Sequence, residues 1–223
     1  MEKDYNKINE ETYNKIFENW ETKRSYFWKP VVDFVESFSN KNISKLQFLD
    51  LGCGGGRHLQ LAEQIGFSKS NLIGSDISSG QLKTVTSKGF IAVQCDFTSI
   101  PLDTDSFDAI VCIAAFHHLL DKNLQQKALL EFKRILNKNG GRILISNWFP
   151  EKEYVKKQIE KKKFNFDQGD DKKVRVTYFL DGERLDRYYY LFDEDELDNL
   201  LRDAGFKIIS KEHFRGNLYH ILE

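Results

Sequence analysis

A glycine-rich stretch near residue 50 has the residue types and spacing of a ligand-binding turn. Asp50 lies in an apolar run, and Gly52, Gly54 and Gly56 follow it before a helical pattern begins near Arg57. Glycine lets the backbone turn sharply and lets a ligand approach main-chain N–H groups. The stretch therefore predicts a strand, a tight turn and a helix N-terminus, a pattern that dinucleotide enzymes and many structural loops share.

Acidic residues at the ends of the next two predicted strands narrow the choice of ligand. Asp76 lies about 20 residues after Gly56, where a carboxylate can accept hydrogen bonds from both hydroxyls of a ribose. Asp96 precedes the aromatic Phe97 at the end of a third strand. A dinucleotide site usually keeps its glycine turn free for a pyrophosphate, whereas Asp50 suits a cationic ligand without phosphate. S-adenosylmethionine, with its ammonium and sulfonium groups, is such a ligand.

The segment that follows the predicted fourth strand is a candidate for the transfer chemistry. It begins at Ile113 and Ala114, and its small side chains would let the methionine part of such a cofactor approach the backbone. His117 and His118 could each act there as acid, base or hydrogen-bond donor. Equally, one of them could cap the next helix or lie buried under the cofactor. Of the two, we favour His117 for the transfer region.

Composition and charge favour one folded domain. The chain has 223 residues, 40% of them hydrophobic, which excludes general disorder and allows one good core. Its net charge is −1, so any contact with nucleic acid must be a local patch. Cys53, Cys95 and Cys112 lack paired spacing, which argues against a zinc site or disulfides and fits the reducing cytosol. The polar first residues and the lack of a membrane-length apolar run lead us to expect a cytoplasmic protein without a signal peptide.

Strands and helices alternate over residues 46–150, which predicts an α/β core with a mostly parallel sheet covered by helices on both faces. Ligands bind at the carboxyl ends of such strands, so Asp50, Asp76, Asp96 and residues 113–118 should share one rim. Strands are expected near 47–51, 72–75, 90–94, 108–113 and 142–147. Helices are expected near 57–66, 79–88 and 122–137.

Additions to this core are expected on both sides within the single domain. Residues 1–45 predict a cap of two amphipathic helices, because apolar side chains recur there at helical spacing. Residues 151–192 predict an inserted charged helix and a β-hairpin, with Asp181 and Gly182 in a type I′ turn. Residues 193–223 predict a helix and a final antiparallel pair of strands.

The inserted segment begins with a lysine-rich stretch over residues 151–173. Its positive and negative charges nearly balance, so one interpretation is a solvated, mobile segment. The other interpretation is a lysine face that follows phosphate groups.

The motifs described so far resemble those of the class I S-adenosylmethionine-dependent methyltransferases. Asp50 with its three glycines resembles the first motif of that family, Asp76 its ribose acid, and Asp96 with Phe97 its adenine pair. Residues 139–145 resemble the turn into its fifth strand. The resemblance implies a Rossmann-like fold with a seven-stranded sheet, and S-adenosylmethionine as cofactor. The cofactor-binding residues that it implies are Asp50, Gly52, Gly54, Gly56, Asp76, Ile77, Asp96, Phe97, Ile113 and Ala114.

Four separated stretches resemble a narrower family, the eukaryotic tRNA wobble-uridine carboxymethyl methyltransferases and the related domain of the AlkB-homologue fusion protein. Those enzymes use S-adenosylmethionine to esterify the carboxylate of 5-carboxymethyluridine at the first anticodon position. The resemblance implies a tRNA anticodon loop as substrate and a small zinc-binding activator subunit as partner in a heterodimer. Departures from the family pattern occur at Lys23-Arg24 and at Gly55. The four stretches are Tyr13–Trp28, Ile113–Leu119, Arg187–Phe192 and Arg215–Leu222.

The chemistry of such an esterification agrees with the residues that carry the resemblance. A carboxylate has a pKa near ~4, so it is an anion at neutral pH and needs no general base. Arginine binds carboxylates with a rigid, bidentate fork. Arg24 and Arg215 are therefore the candidate clamp, although each could instead form a surface ion pair. His117, Asn217 and Tyr219 would complete the pocket.

Further features bear on the substrate and the partner. Trp28, Trp148 and Tyr188 could stack on a splayed base or could belong to the core. Residues 90–93 would form an edge strand to which the activator could add a strand, unless a helix covers their apolar side chains.

Two other functions stay open at this point. One is a small-molecule methyltransferase of the same fold, and the other is a non-catalytic scaffold that binds the cofactor. A closed apolar pocket would favour a metabolite. RNA would be favoured by an open cleft with a charged and aromatic rim of Lys23, Arg24, Trp28, Arg187 and Arg215.

Overall fold

The computed structural model describes residues 4–21, 26–39, 42–167 and 170–223, and the side chains of residues 17–21 and 167 lie outside this description. Arg24, one half of the predicted clamp, therefore lies outside the described residues. The helices are α1 (Tyr5–Glu21), α2 (Lys29–Glu36), α3 (Arg57–Ile65), α4 (Ser79–Ser87), α5 (Lys122–Ile135), α6 (Lys152–Glu160) and α7 (Glu194–Asp203). The strands are β1 (Phe48–Leu51), β2 (Leu72–Asp76), β3 (Ile91–Gln94), β4 (Ala109–Ile113), β5 (Arg142–Trp148), β6 (Phe164–Asp167), β7 (Asp170–Leu180), β8 (Glu183–Tyr190), β9 (Ile208–Phe214) and β10 (Asn217–Leu222).

The central sheet confirms the predicted α/β architecture. Its seven strands run in the order β3-β2-β1-β4-β5-β10-β9. The first five are parallel to one another, and β10 is antiparallel to both of its neighbours. Every residue of β1 and β4 is buried, as expected for parallel strands covered on both faces. The carboxyl ends of the parallel strands and the start of β10 therefore meet at one rim.

Two apolar clusters cover the two faces of this sheet. Helices α5 and α7 contribute residues such as Phe132 and Leu197 to one cluster. Helices α2, α3 and α4 contribute residues such as Phe34, Leu59 and Val85 to the other. Successive side chains of each strand point to opposite faces of the sheet, so strands such as β1 and β4 contribute to both clusters. The rim therefore lies between the two helix layers.

The predicted hairpin is present, but it belongs to a larger structure than the sequence indicated. Asp181 and Gly182 have φ values of 50° and 84°, as a type I′ turn requires. β7 also pairs with β6, so the insertion forms a three-stranded sheet in the order β6-β7-β8. The strand β6 was not predicted, because its four residues follow a run of lysines and are too short for a clear period of two.

Helix α1 joins this small sheet to the central sheet. The side chain of Asn9 accepts a hydrogen bond from the N–H of Tyr188 in β8 at 2.8 Å. Further along α1, Asn14 accepts hydrogen bonds from the hydroxyl of Ser78 at 2.7 Å and from the N–H of Gly80 at 3.0 Å, at the start of α4. The cap helix therefore spans the rim. Among the helices described, none has the length and apolar character needed to cross a bilayer.

Candidate active site

Two adjoining cavities lie at the rim. The first has a volume of about 360 Å³ and lies at the ends of β1, β2 and β4. The second has a volume of about 260 Å³ and lies between the small sheet, α6 and the start of β10. Tyr13 and Ala114 line both cavities, so the two spaces are neighbours.

The glycine turn forms the floor of the first cavity through main-chain geometry. Gly52, Gly54 and Gly56 have φ values of 69°, 53° and 77°, which L side chains rarely adopt. A Cβ on Gly52 would lie 2.5 Å from the Cβ of Ala115, so the turn must also stay free of a side chain. Gly52 and Gly54 line the cavity, whereas Gly56 lies outside its lining and begins α3 as its N-cap.

Asp76 is held in place on the wall of the first cavity by two main-chain donors. One carboxylate oxygen accepts the N–H of Gly54 at 3.0 Å, and the other accepts the N–H of Ser78 at 2.9 Å. Burial raises the pKa of Asp76 to about 6, although these hydrogen bonds favour the ionised form. Each oxygen keeps a further lone pair, so the carboxylate can still accept from two ligand hydroxyls.

The other predicted cofactor residues lie around the same cavity. Ile77, Asp96, Phe97, Ile113 and Ala114 all line it. The Oδ1 atom of Asp96 accepts the N–H and the hydroxyl of Thr98 at 2.8 and 2.7 Å, and its Oδ2 atom accepts from Asn6 at 3.3 Å. This wall therefore combines oriented carboxylates with apolar surfaces.

Asp50 lies behind the cavity rather than in its lining. It is fully buried, and its Oδ2 atom lies 3.3 Å from Nδ1 of His58, which does line the cavity. Within the described residues, neither carboxylate oxygen of Asp50 has a hydrogen-bond partner. A buried anion is costly unless a positive group offsets it, so this carboxylate suits a cationic ligand in the cavity. The carboxylates of Asp76 and Asp96 in the lining, with the buried carboxylate of Asp50 behind it, thus fit S-adenosylmethionine.

The two histidines of the segment after β4 have different partners. Nδ1 of His117 accepts the N–H of Trp148 at 2.9 Å, which leaves Nε2 to carry the proton in the neutral ring. Nδ1 of His118 lies 2.8 Å from the carbonyl oxygen of Tyr188, and its Nε2 lies 2.9 Å from the hydroxyl of Tyr13. His117 lines the second cavity and His118 the first.

Aromatic side chains and one buried arginine line the second cavity. Trp148 and Tyr189 form part of its wall, with ring centres 5.3 Å apart. Arg187 of β8 also lines it, with 7% of its surface exposed. Its guanidinium lies 5.6 Å from the ring centre of Tyr178 and 5.7 Å from that of Tyr189. The cavity thus combines aromatic faces with polar groups, and among its described lining residues Arg187 carries the positive charge.

The predicted substrate residues are only partly brought together. His117 and Asn217 line the second cavity. Tyr219 lies outside both linings, fully buried beneath Trp28, and burial raises the pKa of its hydroxyl. Arg215 also lies outside them. It occupies the turn between β9 and β10, with its guanidinium 5.2 Å from the ring centre of Tyr26.

Sequence reasoning assigned no site role to His58, and it named Arg187 only as part of a charged rim. The signal for Arg187 was its place in the hairpin arm that carries the family resemblance. No local sequence pattern indicates that the side chain of Arg187 points into the second cavity.

Comparison with known proteins agrees with this geometry. Residues 49–145 match the family model described as a methyltransferase domain. The tRNA (carboxymethyluridine(34)-5-O)-methyltransferase of Arabidopsis thaliana is 33% identical over 141 residues, which cover 63% of this chain and 32% of the relative. The Schizosaccharomyces pombe protein of the same name is 25% identical and aligns over 100% of this chain and 99% of the relative. The chain spans only about a fifth to a third of the length of the plant and animal relatives it matches.

Solved structures share the fold. The structure described as the DhpI-SAM-HEP complex superposes with a TM-score of 0.73 and 14% identity, covering 100% of this chain and 99% of that one. An S-adenosylmethionine-dependent methyltransferase from Clostridium acetobutylicum superposes with a TM-score of 0.66 and 19% identity, covering 95% of this chain and 98% of that one. The sheet order, the glycine turn and these likenesses agree, and the chain has the Rossmann-like fold of the class I S-adenosylmethionine-dependent methyltransferases.

Proposed function

We propose that this protein is a tRNA methyltransferase that esterifies the carboxylate of 5-carboxymethyluridine at the wobble position of the anticodon. The observation that carries the proposal is the second cavity, where Arg187 is buried among aromatic side chains directly beside the cofactor cavity. The names of the Arabidopsis and fission yeast relatives support the same substrate.

The residues of the first cavity would hold the cofactor. S-adenosylmethionine supplies an electrophilic methyl group on a sulfonium centre. Asp76 would accept the ribose hydroxyls, and Asp96 with Phe97 would bind the adenine. The buried carboxylate of Asp50 would favour the positive charge of the cofactor from behind the glycine turn.

The residues of the second cavity would hold the reacting carboxylate. Because this group is already an anion, the protein has to bind and orient it rather than remove a proton. The guanidinium of Arg187 can bind both carboxylate oxygens, and burial strengthens the pairing relative to water. Nε2–H of His117 and the amide of Asn217 are further donors at the same cavity.

The aromatic walls would bind the base. An anticodon loop is single-stranded, so a uridine can be splayed out without melting a duplex. Trp28, Trp148 and Tyr189 line the cavity as flat faces on which a base can stack. Of the predicted platform residues, Tyr188 does not line the cavity and instead packs on Tyr5 at 4.9 Å.

We assign the clamp to Arg187 in preference to Arg215. The side chain of Arg215 stacks on Tyr26 and Phe214, outside both cavities. The part played by Arg24 stays a prediction.

A small-molecule carboxylate is the second candidate substrate. The second cavity has a volume of about 260 Å³ and an aromatic lining, which could hold one aromatic acid. This candidate would make the protein a metabolite methyltransferase of the same fold.

We also propose a small zinc-binding activator as partner. β3 is an edge strand, with β2 as its neighbour on one side, and 45% of the surface of Ile91 in it is exposed. Such an edge can accept a strand from another protein.

The test follows labelled methyl from S-adenosylmethionine into tRNA that carries 5-carboxymethyluridine, with and without a candidate activator. Controls are unmodified tRNA and small aromatic carboxylic acids. Ester formation on the modified tRNA alone is the expected result. Transfer to a small acid but not to tRNA would contradict the tRNA assignment and favour the second candidate.

A further inference from the structure

A cluster of exposed lysines adjoins the second cavity. Residues 151–163 contain six lysines and three glutamates. All six lysines are exposed, and within the described residues none has a carboxylate at ion-pair distance. By contrast, Lys172 in the neighbouring strand pairs with Asp193 and Glu196. The six lysines are Lys152, Lys156, Lys157, Lys161, Lys162 and Lys163.

The orientation of α6 separates four of these lysines into two pairs. Tyr154 lines the second cavity and packs on Phe164, with ring centres 6.0 Å apart, so this side of α6 faces the cavity. Lys157 follows Tyr154 by three residues, and Lys161, the C-cap just after the last residue of α6, follows it by seven, so helical spacing places both on the side of Tyr154. Lys152 and Lys156 each lie two residues from Tyr154, about 200° around the axis, on the other side.

The stripe formed by Lys157 and Lys161 therefore leads away from the mouth of the cavity. With a rise of 1.5 Å per residue, it extends about 10 Å along the helix from Tyr154. The ring of Tyr154 is itself half exposed, so an aromatic face and two unneutralised ammonium groups lie in one row. A row of this kind fits a nucleic-acid strand, whose bases stack and whose phosphates attract lysine.

We propose that Lys157 and Lys161 bind backbone phosphates of the anticodon loop next to the nucleotide held in the second cavity. The proposal rests on the proposed function and extends it, because it states how the protein binds RNA beyond the target base. The net charge of the whole chain is −1, so attraction of a polyanion has to come from such a local stripe.

The experiment compares two double variants of the full chain that change the net charge equally. Lys157→Gln/Lys161→Gln removes the stripe, and Lys152→Gln/Lys156→Gln removes two lysines from the other side of the same helix. Dissociation constants for an anticodon stem-loop RNA that carries 5-carboxymethyluridine are measured over a range of salt concentrations, and cofactor binding checks the fold.

We expect the stripe variant to bind the RNA about tenfold more weakly at low salt. Its slope of log K against log salt should fall by about 1.5, because two phosphate contacts are lost. The control variant should keep the wild-type slope. An equal loss of RNA affinity in both variants would indicate that the RNA responds only to the overall charge of the helix. Unchanged affinity in both would indicate that the lysines contact only solvent. Either result overturns the proposal.

The wild-type protein separates this proposal from the function on which it rests. If the wild type esterifies the modified RNA while the stripe variant binds and reacts like it, only the phosphate contacts are wrong. If the wild type neither binds nor methylates the RNA, the tRNA function itself fails, and the phosphate contacts fail with it.

Discussion

The two cavities are built in different ways although they share a wall. The first is formed mainly by main-chain turns and strand ends within residues 52–119, and its key groups lie in short contiguous motifs. The second is formed by side chains that come from α1, the start of α2, the ends of β4 and β5, α6, the small sheet and β10. Backbone geometry thus defines the first cavity, whereas convergence of distant side chains defines the second.

This difference explains why one fold can serve many methyl acceptors. The first cavity depends on main-chain geometry, such as the positive φ values of the glycine turn. The second cavity depends on additions to the core, and these can change without disturbing the central sheet. Substitutions in the second cavity should therefore change methyl transfer, whereas substitutions in the first should change cofactor binding or stability.

The largest effect is expected when the second cavity loses its cation. Replacement Arg187→Ala should lower kcat/KM for the modified tRNA by about 100- to 1,000-fold, because truncating one partner of a buried charge pair costs roughly 3–4 kcal/mol. Binding of S-adenosylmethionine should stay within about twofold, since Arg187 lines the second cavity and not the first. Methyl-transfer kinetics and calorimetric titration of the cofactor measure the two quantities.

Arg184→Ala is the matched control for that prediction. Arg184 lies on the same strand but is exposed and pairs with Asp186. An equal loss of activity in the two variants would contradict a specific role for Arg187. Arg187→Lys keeps the charge and loses the fork, so it should recover part of the activity if the pairing is bidentate.

The next effect concerns the stability of the glycine turn in the first cavity. Gly52→Ala should lower the free energy of unfolding by about 2–4 kcal/mol, because left-handed strain adds to a clash with Ala115. Gly54→Ala should cost only about 1–2 kcal/mol, since its φ is also positive but no atom lies closer than 3.7 Å to the added Cβ. Urea unfolding measures both, and equal costs would argue against close packing at Gly52.

A pH dependence of cofactor binding is expected at the first cavity. The pKa of Asp76 is raised to about 6 by burial, and hydroxyl donors from a ligand favour its ionised form. Affinity for S-adenosylmethionine should therefore fall as the pH drops through 6, by at most about tenfold per pH unit, and be level at higher pH. Titrations between pH 5 and 8 test this, with Asp76→Asn expected to remove the dependence. An unchanged profile in that variant would assign the effect to another group.

The smallest effect is expected at the arginine that lies outside both cavities. Arg215→Ala should change kcat/KM by less than about threefold, because its guanidinium stacks on Tyr26 and Phe214 at the surface. A loss comparable to that of Arg187→Ala would mean that Arg215 moves into the site when substrate binds. The same transfer assay gives the answer.

The sequence allowed the core of the fold to be predicted, because its signals are local. Alternating strands and helices, the spacing of Asp76 from the glycine turn, and the Asp181-Gly182 turn all depend on short stretches. Their positions in the structure agree with the predictions to within a few residues. The additional strand β6 was missed, since its pairing with β7 depends on contacts that a four-residue pattern does not encode.

The substrate side could be predicted only in part, for a physical reason. A motif indicates which residues resemble those of a family, but the inward or outward direction of a side chain depends on register and packing. Arg187 lies on the same face of β8 as Tyr189, and both line the second cavity, while Arg215 occupies a turn with φ of 48°. The sequence favours arginine as the residue type of the proposed clamp, but a choice among several arginines depends on the fold.

The most direct test of the account is a cycle of binding measurements on the second cavity. Wild-type protein and Arg187→Ala would each be titrated with two anticodon stem-loop RNAs, one bearing 5-carboxymethyluridine and the other its neutral amide analogue. We expect the wild type to bind the carboxylate RNA about 10- to 100-fold more tightly than the amide RNA, and Arg187→Ala to bind both equally. The coupling free energy between Arg187 and the carboxylate is then roughly 1.5–3 kcal/mol. An equal preference in both proteins would contradict recognition of the carboxylate by Arg187.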